Sequence, residues 1–261
     1  MQLKKNYIYT EQTIIALKNI FSSSSEQYAK YRPDYPQALF DFIYPLLSNK
    51  ECAWDCGTGN GQLAIELAKE FRKVKATDIS EEQLQHAFTA DNVEYSVQAA
   101  ESTCFEDNSF DLITVAQAVH WFEIDKFNEE VKRVGKPNSL IALIGYELCS
   151  ISPEIDKIIR YFYEDIIGKY WDPERKHLQS QYQYIPFPFK ELETPSLNNI
   201  KLWRYDHLVG YLNTWSAVKH FVNKNNYNPI SEIEKDLRQA WGNIELRRVI
   251  FPIIFRVGRV K

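Results

Sequence analysis

Between residues 50 and 147, short apolar runs alternate with segments of helical period. The run at 52–54 stops at Asp55 and reads as a buried strand. The segment QLAIELAKEF follows, with apolar side chains at 63, 64, 67, 68 and 71, the spacing of an amphipathic helix. VKATD (74–78) predicts a second strand that again ends on an acid, and Ser80 is placed to cap the next helix. VEYSVQ (93–98), FDLITVAQA (110–118) and SLIALIGYE (139–147) predict three more strands, with a helix over 123–134 before the last. This alternation predicts an α/β fold, a doubly wound and mostly parallel sheet with helices on both faces.

The flanks follow a different rhythm. Residues 11–21 have a helix-like pattern (Ile14, Ile15, Leu17, Ile20), the serine run 22–25 breaks it, and 36–48 predicts a helix starting at Pro36. The serines make a plausible hinge for an arm, so residues 22–35 are expected to order on a ligand. Beyond residue 150 a helical stretch over 152–185 carries Tyr161, Phe162, Tyr163, Tyr170 and Trp171. A loop at 185–189, a strand at 199–206, helices at 208–224 and 230–242, and a final strand at 247–260 complete the chain. With no Gly/Ser linker and no repeat, the expectation is one domain over 1–261. It has an N-terminal arm at 1–35 and a helical lid inserted at 150–200.

Composition narrows the function. The 261 residues are 44% hydrophobic and 25% charged, ordinary for a globular chain. A formal net charge of −4 argues against a nucleic-acid surface, which needs a basic face. Cys52, Cys56, Cys104 and Cys149 lack the second Cys/His cluster that a zinc site requires. They read as buried free thiols of a cytoplasmic protein, and no metal is expected. The N-terminus is a poor signal peptide, and no apolar run approaches the roughly 20 residues of a membrane span. The oligomeric state is left open.

Three of only nine glycines fall on alternate positions in AWDCGTGNGQ (53–62), between the first strand and the first helix. Open α/β sheets bind ligands at that end of their strands, and glycine lets backbone approach a ligand closely. A phosphate-binding P-loop would need a following Lys, which is absent. A dinucleotide fingerprint fits at Gly57 and Gly59 but finds Gln62 in its third glycine position. The acid Asp55 also suits a pyrophosphate poorly. Two readings stay open at this point: a loop for a sulfonium cofactor with an amino-acid end, and a turn that is merely glycine-rich.

The sequence here resembles the class I S-adenosylmethionine-dependent methyltransferases. AWDCGTGNGQ is similar to their first motif, DxGxGxG after an apolar strand, and Asp78 follows Asp55 by 23 residues, where the family carries an acid for the ribose hydroxyls. QAAES (98–102) resembles the adenine-contacting segment, and FDLITVAQAVHWF (110–122) the fourth-strand motif. YAKYRPDYP (28–36) and QAVHWF (117–122) further resemble the small-molecule branch that includes trans-aconitate-type methyltransferases. The resemblance implies a Rossmann-like seven-stranded sheet whose last strand is antiparallel, and S-adenosyl-L-methionine as cofactor. It implies cofactor contacts from Asp55, Gly57, Thr58, Gly59, Gly61, Asp78, Ile79, Ala100, Glu101 and Gln117. Tyr28 and Arg32 would contribute from an arm folded over the cofactor.

The implied reaction moves a methyl group to a small molecule, at a carboxylate or hydroxyl oxygen. His120, just past the fourth strand, is the candidate catalytic residue. It would be a base for a hydroxyl or, protonated, an anchor for a carboxylate. Trp121 and Phe122 read as core or pocket wall. Two other readings stay open: a fold that binds the cofactor without turnover, and a methyltransferase acting on a macromolecule. Against a nucleic-acid amine as acceptor, the position of the [DNS]PP[YFW] motif reads AQAVHW.

Overall fold

The structure, a computed structural model, describes residues 30–261. The parallel strands are β1 (Cys52–Cys56), β2 (Lys73–Asp78), β3 (Val93–Val97), β4 (Phe110–Ala116) and β5 (Gly135–Tyr146). Between them run α2 (Gln62–Ala68), α3 (Glu81–Gln85) and α4 (Ile124–Val134), with α1 (Gln37–Ile43) ahead of β1. Ser80 caps α3 as expected, accepting from the Gln83 N–H. The last strand, β8 (Arg247–Arg259), pairs antiparallel with β5. Strands β6 (Lys190–Leu192) and β7 (Asn198–Trp203) add to β8, so the order is β3-β2-β1-β4-β5-β8-β6, with β7 on the leading half of β8. Among the described residues the sheet therefore has eight strands, where seven were expected. The three residues of β6 are too few to show an alternation in sequence.

Strand alternation sorts side chains into two cores. Ala53, Leu112, Leu140 and Ala142 point to one face, under Leu63 and Leu67 of α2 and Leu39, Phe40 and Ile43 of α1. Trp54, Ile113 and Ile141 point to the other, under Phe127, Val131 and Val134 of α4. Buried Trp54 also donates to Thr77 Oγ1 across the sheet at 2.9 Å. Strand order reverses between β1 and β4, the switch point at whose carboxyl edge open sheets bind ligands.

The chain between β5 and β8 departs from the expected lid at 150–200. It runs from 147 to 246, includes β6 and β7, and builds its own core. The expected helix at 152–185 is broken into α5 (Pro153–Tyr161), a π turn at Phe162–Ile166, two single 3₁₀ turns and α6 (Lys176–Gln179). Gly168 and Pro173 fall at those breaks, where helix propagation is least favoured. Helices α7 (Tyr205–Asn213), α8 (Ser216–Asn225) and α9 (Glu234–Trp241) complete this unit around Trp215, Phe162 and Leu237. Cys104 is exposed, against the expectation of four buried thiols. The helix-like pattern at 11–21, the serine hinge and Tyr28 lie outside the described residues. Among the described residues no helix is long and apolar enough to cross a membrane.

Gly61, at the N-cap of α2, has φ +81°. A Cβ there would collide with the Tyr95 hydroxyl, which donates to Phe88 O. Gly61→Ala therefore combines left-handed strain with overpacking and is expected to cost about 2–4 kcal/mol in urea unfolding. Adding Tyr95→Ala restores the steric share of that loss. A double variant no more stable than Gly61→Ala would show that the collision is not the cause.

Candidate active site

After β1 the backbone turns left-handed at Gly57 (φ +67°), which only glycine adopts without strain. A Cβ on Gly57 would lie 2.6 Å from Ala118 Cβ and 3.2 Å from the Phe122 ring. The turn is thus pressed against the 118–122 segment that follows β4. Its other side is tied to β2, since Thr58 N donates to Thr77 O at 2.9 Å and Gly59 N to Asp78 Oδ2 at 2.8 Å.

These contacts frame a cavity of about 300 Å³ whose wall carries Asp55, Asp78 and Glu101. Asp55 is 1% exposed, with Thr58 Oγ1 donating to one oxygen at 2.5 Å and Thr114 Oγ1 to the other at 2.8 Å. Burial lifts its carboxyl to about 6, the two hydroxyls opposing the rise and the charge of Asp78 adding to it. Asp78 takes one backbone N–H on each oxygen, from Gly59 and from Ser80, and burial outweighs them, so its carboxyl also titrates above the usual range. A carboxylate offers about four acceptor sites, so Asp78 keeps capacity for a hydroxyl donor. Glu101 accepts the Glu123 N–H at 2.8 Å, and burial likewise raises it.

Gly57, Thr58, Gly59, Ile79, Ala100 and Gln117 line the same cavity, as do Trp121 and Phe122. Gly61 does not; it is spent on the close approach of Tyr95. Tyr35, Asn60, Gln83 and Gln98 also line it and escaped the sequence reading. Of these, Asn60 had a visible signal, being the one amide inside the glycine motif. Its Nδ2 is buried without a partner, as is Gln117 Nε2.

A second, smaller cavity of about 60 Å³ adjoins the first, sharing Gln83, Gln117 and Trp121 with it. Arg32, expected to contact the cofactor, lines this second cavity and not the first. Its guanidinium donates to Tyr146 Oη at 2.9 Å and to Thr214 O at 3.2 Å. Arg175 is presented flat on the Trp171 ring at 3.9 Å, with Nε donating to Tyr163 Oη at 2.9 Å. Lys219 reaches in from α8, and burial together with the neighbouring Arg32 lowers its ammonium to about 8. Asp172, close in sequence to Arg175, accepts from Ser216 at 2.8 Å and pairs with His220 at 3.1 Å, pinning the Arg175 loop to α8. No carboxylate lines this second cavity.

His120 is on its wall, 8% exposed, stacked near Tyr182 and tilted against Trp121, with Nδ1 buried and unpartnered. Burial, then Arg175 and His177, drives its imidazolium down to about 3. In the ligand-free fold the ring is therefore neutral at pH 7.

A family model described as a methyltransferase domain matches residues 54–143. A protein of Dictyostelium discoideum, provisionally named a methyltransferase, is 34% identical over 89% of this chain and 92% of its own. The chain belongs to the class I S-adenosylmethionine-dependent methyltransferases. A solved structure from Anaeromyxobacter dehalogenans, provisionally titled a type II methyltransferase, is 39% identical with a TM-score of 0.82, over 88% of this chain and 98% of that one. A mitochondrial arginine-hydroxylase of Mus musculus is 31% identical over 43% of this chain and 36% of its own.

The cofactor of this methyltransferase is S-adenosylmethionine, and the first cavity fits it. Its acidic lining suits a ligand with a sulfonium, an ammonium and a diol, and repels a pyrophosphate. The 54–143 match carries most of that cavity but none of Arg32, Arg175 or Lys219.

The raised carboxyl of Asp55 fixes a sign. The folded protein binds its proton more tightly than the unfolded chain does, at about 6 against an ordinary 3.8. Its contribution is therefore favourable below about pH 4 and is lost as pH rises to about 6, a change on the order of 3 kcal/mol. Asp55→Asn removes the buried charge. In urea unfolding of the ligand-free protein it should leave stability unchanged at pH 4 and raise it at pH 7.5. In calorimetry the same variant should bind S-adenosylhomocysteine at least tenfold more weakly.

Proposed function

We propose that the protein transfers the methyl group of S-adenosylmethionine to a carboxylate oxygen of a small anionic acceptor, as a cytoplasmic enzyme. The observation that carries this reading is the change of polarity between two adjoining cavities: Asp55, Asp78, Glu101 and Glu123 line the first, and Arg32, Arg175 and Lys219 line the second. When bound, the cofactor supplies an electrophilic methyl carbon on a positively charged sulfur. The chain supplies alignment. Asp55, Asp78 and Glu101 hold the cationic and hydroxyl-bearing ligand, while Arg175 and Lys219 draw an anion to the facing cavity. Holding two reactants in line can contribute on the order of 7–11 kcal/mol in favourable cases.

A carboxylate is already ionised at neutral pH, so it needs no base, which suits a neutral His120. Its unpartnered Nδ1 offers the acceptor a hydrogen bond. Esterification removes one negative charge from the acceptor, which weakens its attraction to the cationic cavity and favours release of the product. The likeness of the domain to an arginine-hydroxylase supports one competing reading, the same cofactor fold put to another chemistry.

Labelled methyl donor offered with small carboxylates, phenols and amines separates these. The expected product is a methyl ester, whose label mild alkali releases as methanol. Label that alkali leaves in place, or no transfer to any carboxylate, would contradict the proposal. Lys219→Met should raise the acceptor KM at least tenfold and leave S-adenosylhomocysteine affinity unchanged. In the wild type the acceptor KM should climb above about pH 8, where Lys219 loses its charge.

A further inference from the structure

Gln117 is the first residue after β4 and has φ +56°, a left-handed backbone that glycine, Asn or Asp would adopt at lower cost. Its own N–H is fixed to Ile144 O at 2.8 Å, so the conformation is held by the β5 neighbour. The conformation directs the side chain to the junction, where it lines both cavities. Nε2 is buried with no partner. A buried amide donor left unpaired on a strained residue is unusual in a folded protein and calls for an explanation, and a ligand that pairs it supplies one. The second unpaired atom of the same cavity is His120 Nδ1, three residues on.

From this geometry we infer that Gln117 is a catalytic residue that orients the acceptor, not a cofactor ligand as the sequence suggests; the inference rests on the carboxylate reading above. Its amide donates to one oxygen of the reacting carboxylate and leaves the other oxygen turned toward the first cavity. That oxygen forms the new O–C bond as the methyl–sulfur bond breaks, with the electron pair left on sulfur and no proton transferred. The chemistry favours a neutral donor here. A cation on the reacting carboxylate would withdraw electron density from the nucleophile, and Arg32, Arg175 and Lys219 instead line the cavity that only Gln117, Gln83 and Trp121 share with the cofactor side.

The test compares wild type, Gln117→Leu and Gln117→Asn, with trans-aconitate as probe acceptor and S-adenosylhomocysteine as cofactor probe. Leu keeps the bulk and removes the amide; Asn keeps the amide and withdraws it by one methylene. Both variants should keep S-adenosylhomocysteine affinity within threefold, melt no lower than the wild type, and lose at least a hundredfold in kcat. The Gln117 side-chain amide resonance, identified by its absence in Gln117→Leu, should shift when trans-aconitate joins the wild-type S-adenosylhomocysteine complex. Loss of cofactor affinity in step with rate would make Gln117 a cofactor ligand, and turnover within threefold of wild type would make it a wall; either overturns the inference. A wild type that methylates trans-aconitate while the resonance stays still also overturns it. A wild type that shows the shift without turnover would contradict the carboxylate-transfer reading and leave Gln117 as an anion contact.

Discussion

Asp55 is a carboxylate buried at the end of a central strand, held by two threonine hydroxyls and making no salt bridge among the described residues. In the ligand-free fold that charge is unfavourable, and Asp78 and Glu101 repeat the condition on the same wall. A cation relieves it. The glycine turn, the threonines at 58 and 114 and the register of β1 between β2 and β4 all serve to keep these acids on one wall.

The opposite polarity comes from a different part of the chain. Arg175 and Lys219 belong to the unit between β5 and β8, whose separate aromatic core holds Trp171 under Arg175 and carries α8 with Lys219. On the proposed reading the sheet fixes where the methyl group is presented, and this unit fixes what meets it. Gln117, Trp121 and His120 stand on the border because β4 ends there and the chain must turn away from the switch point.

How far this was legible follows from chain distance. Asp55, Gly57, Gly59 and Asp78 were readable because their positions are set locally, by a strand end and a left-handed turn. Gly61 shares the motif, but its role is packing against Tyr95, a partner more than thirty residues away. Arg32 was placed on the cofactor because it precedes the first helix, whereas Tyr146 and Thr214, both remote in sequence, draw it to the second cavity. Arg175 and Lys219 gave no signal, since a basic side chain in an amphipathic or broken helix reads as a solvated one until its neighbours are known. His120 was found by position, but its protonation state depends on burial and on Arg175, neither of which the local sequence displays. The eighth strand and the interrupted helix at 152–185 went unread for a related reason: tertiary pairing overrides weak local pattern.

The claim on which the account depends is that two ligands of opposite charge meet across Gln117. A crystal structure of the protein with S-adenosylhomocysteine and trans-aconitate tests it most directly. The account predicts the nucleoside and amino-acid ends of the first ligand against Asp78 and Asp55. It also predicts a carboxylate of the second beside Arg175 and Lys219, with another within hydrogen-bonding reach of Gln117. A tricarboxylate bound elsewhere, or S-adenosylhomocysteine lying among the three cations, would contradict it.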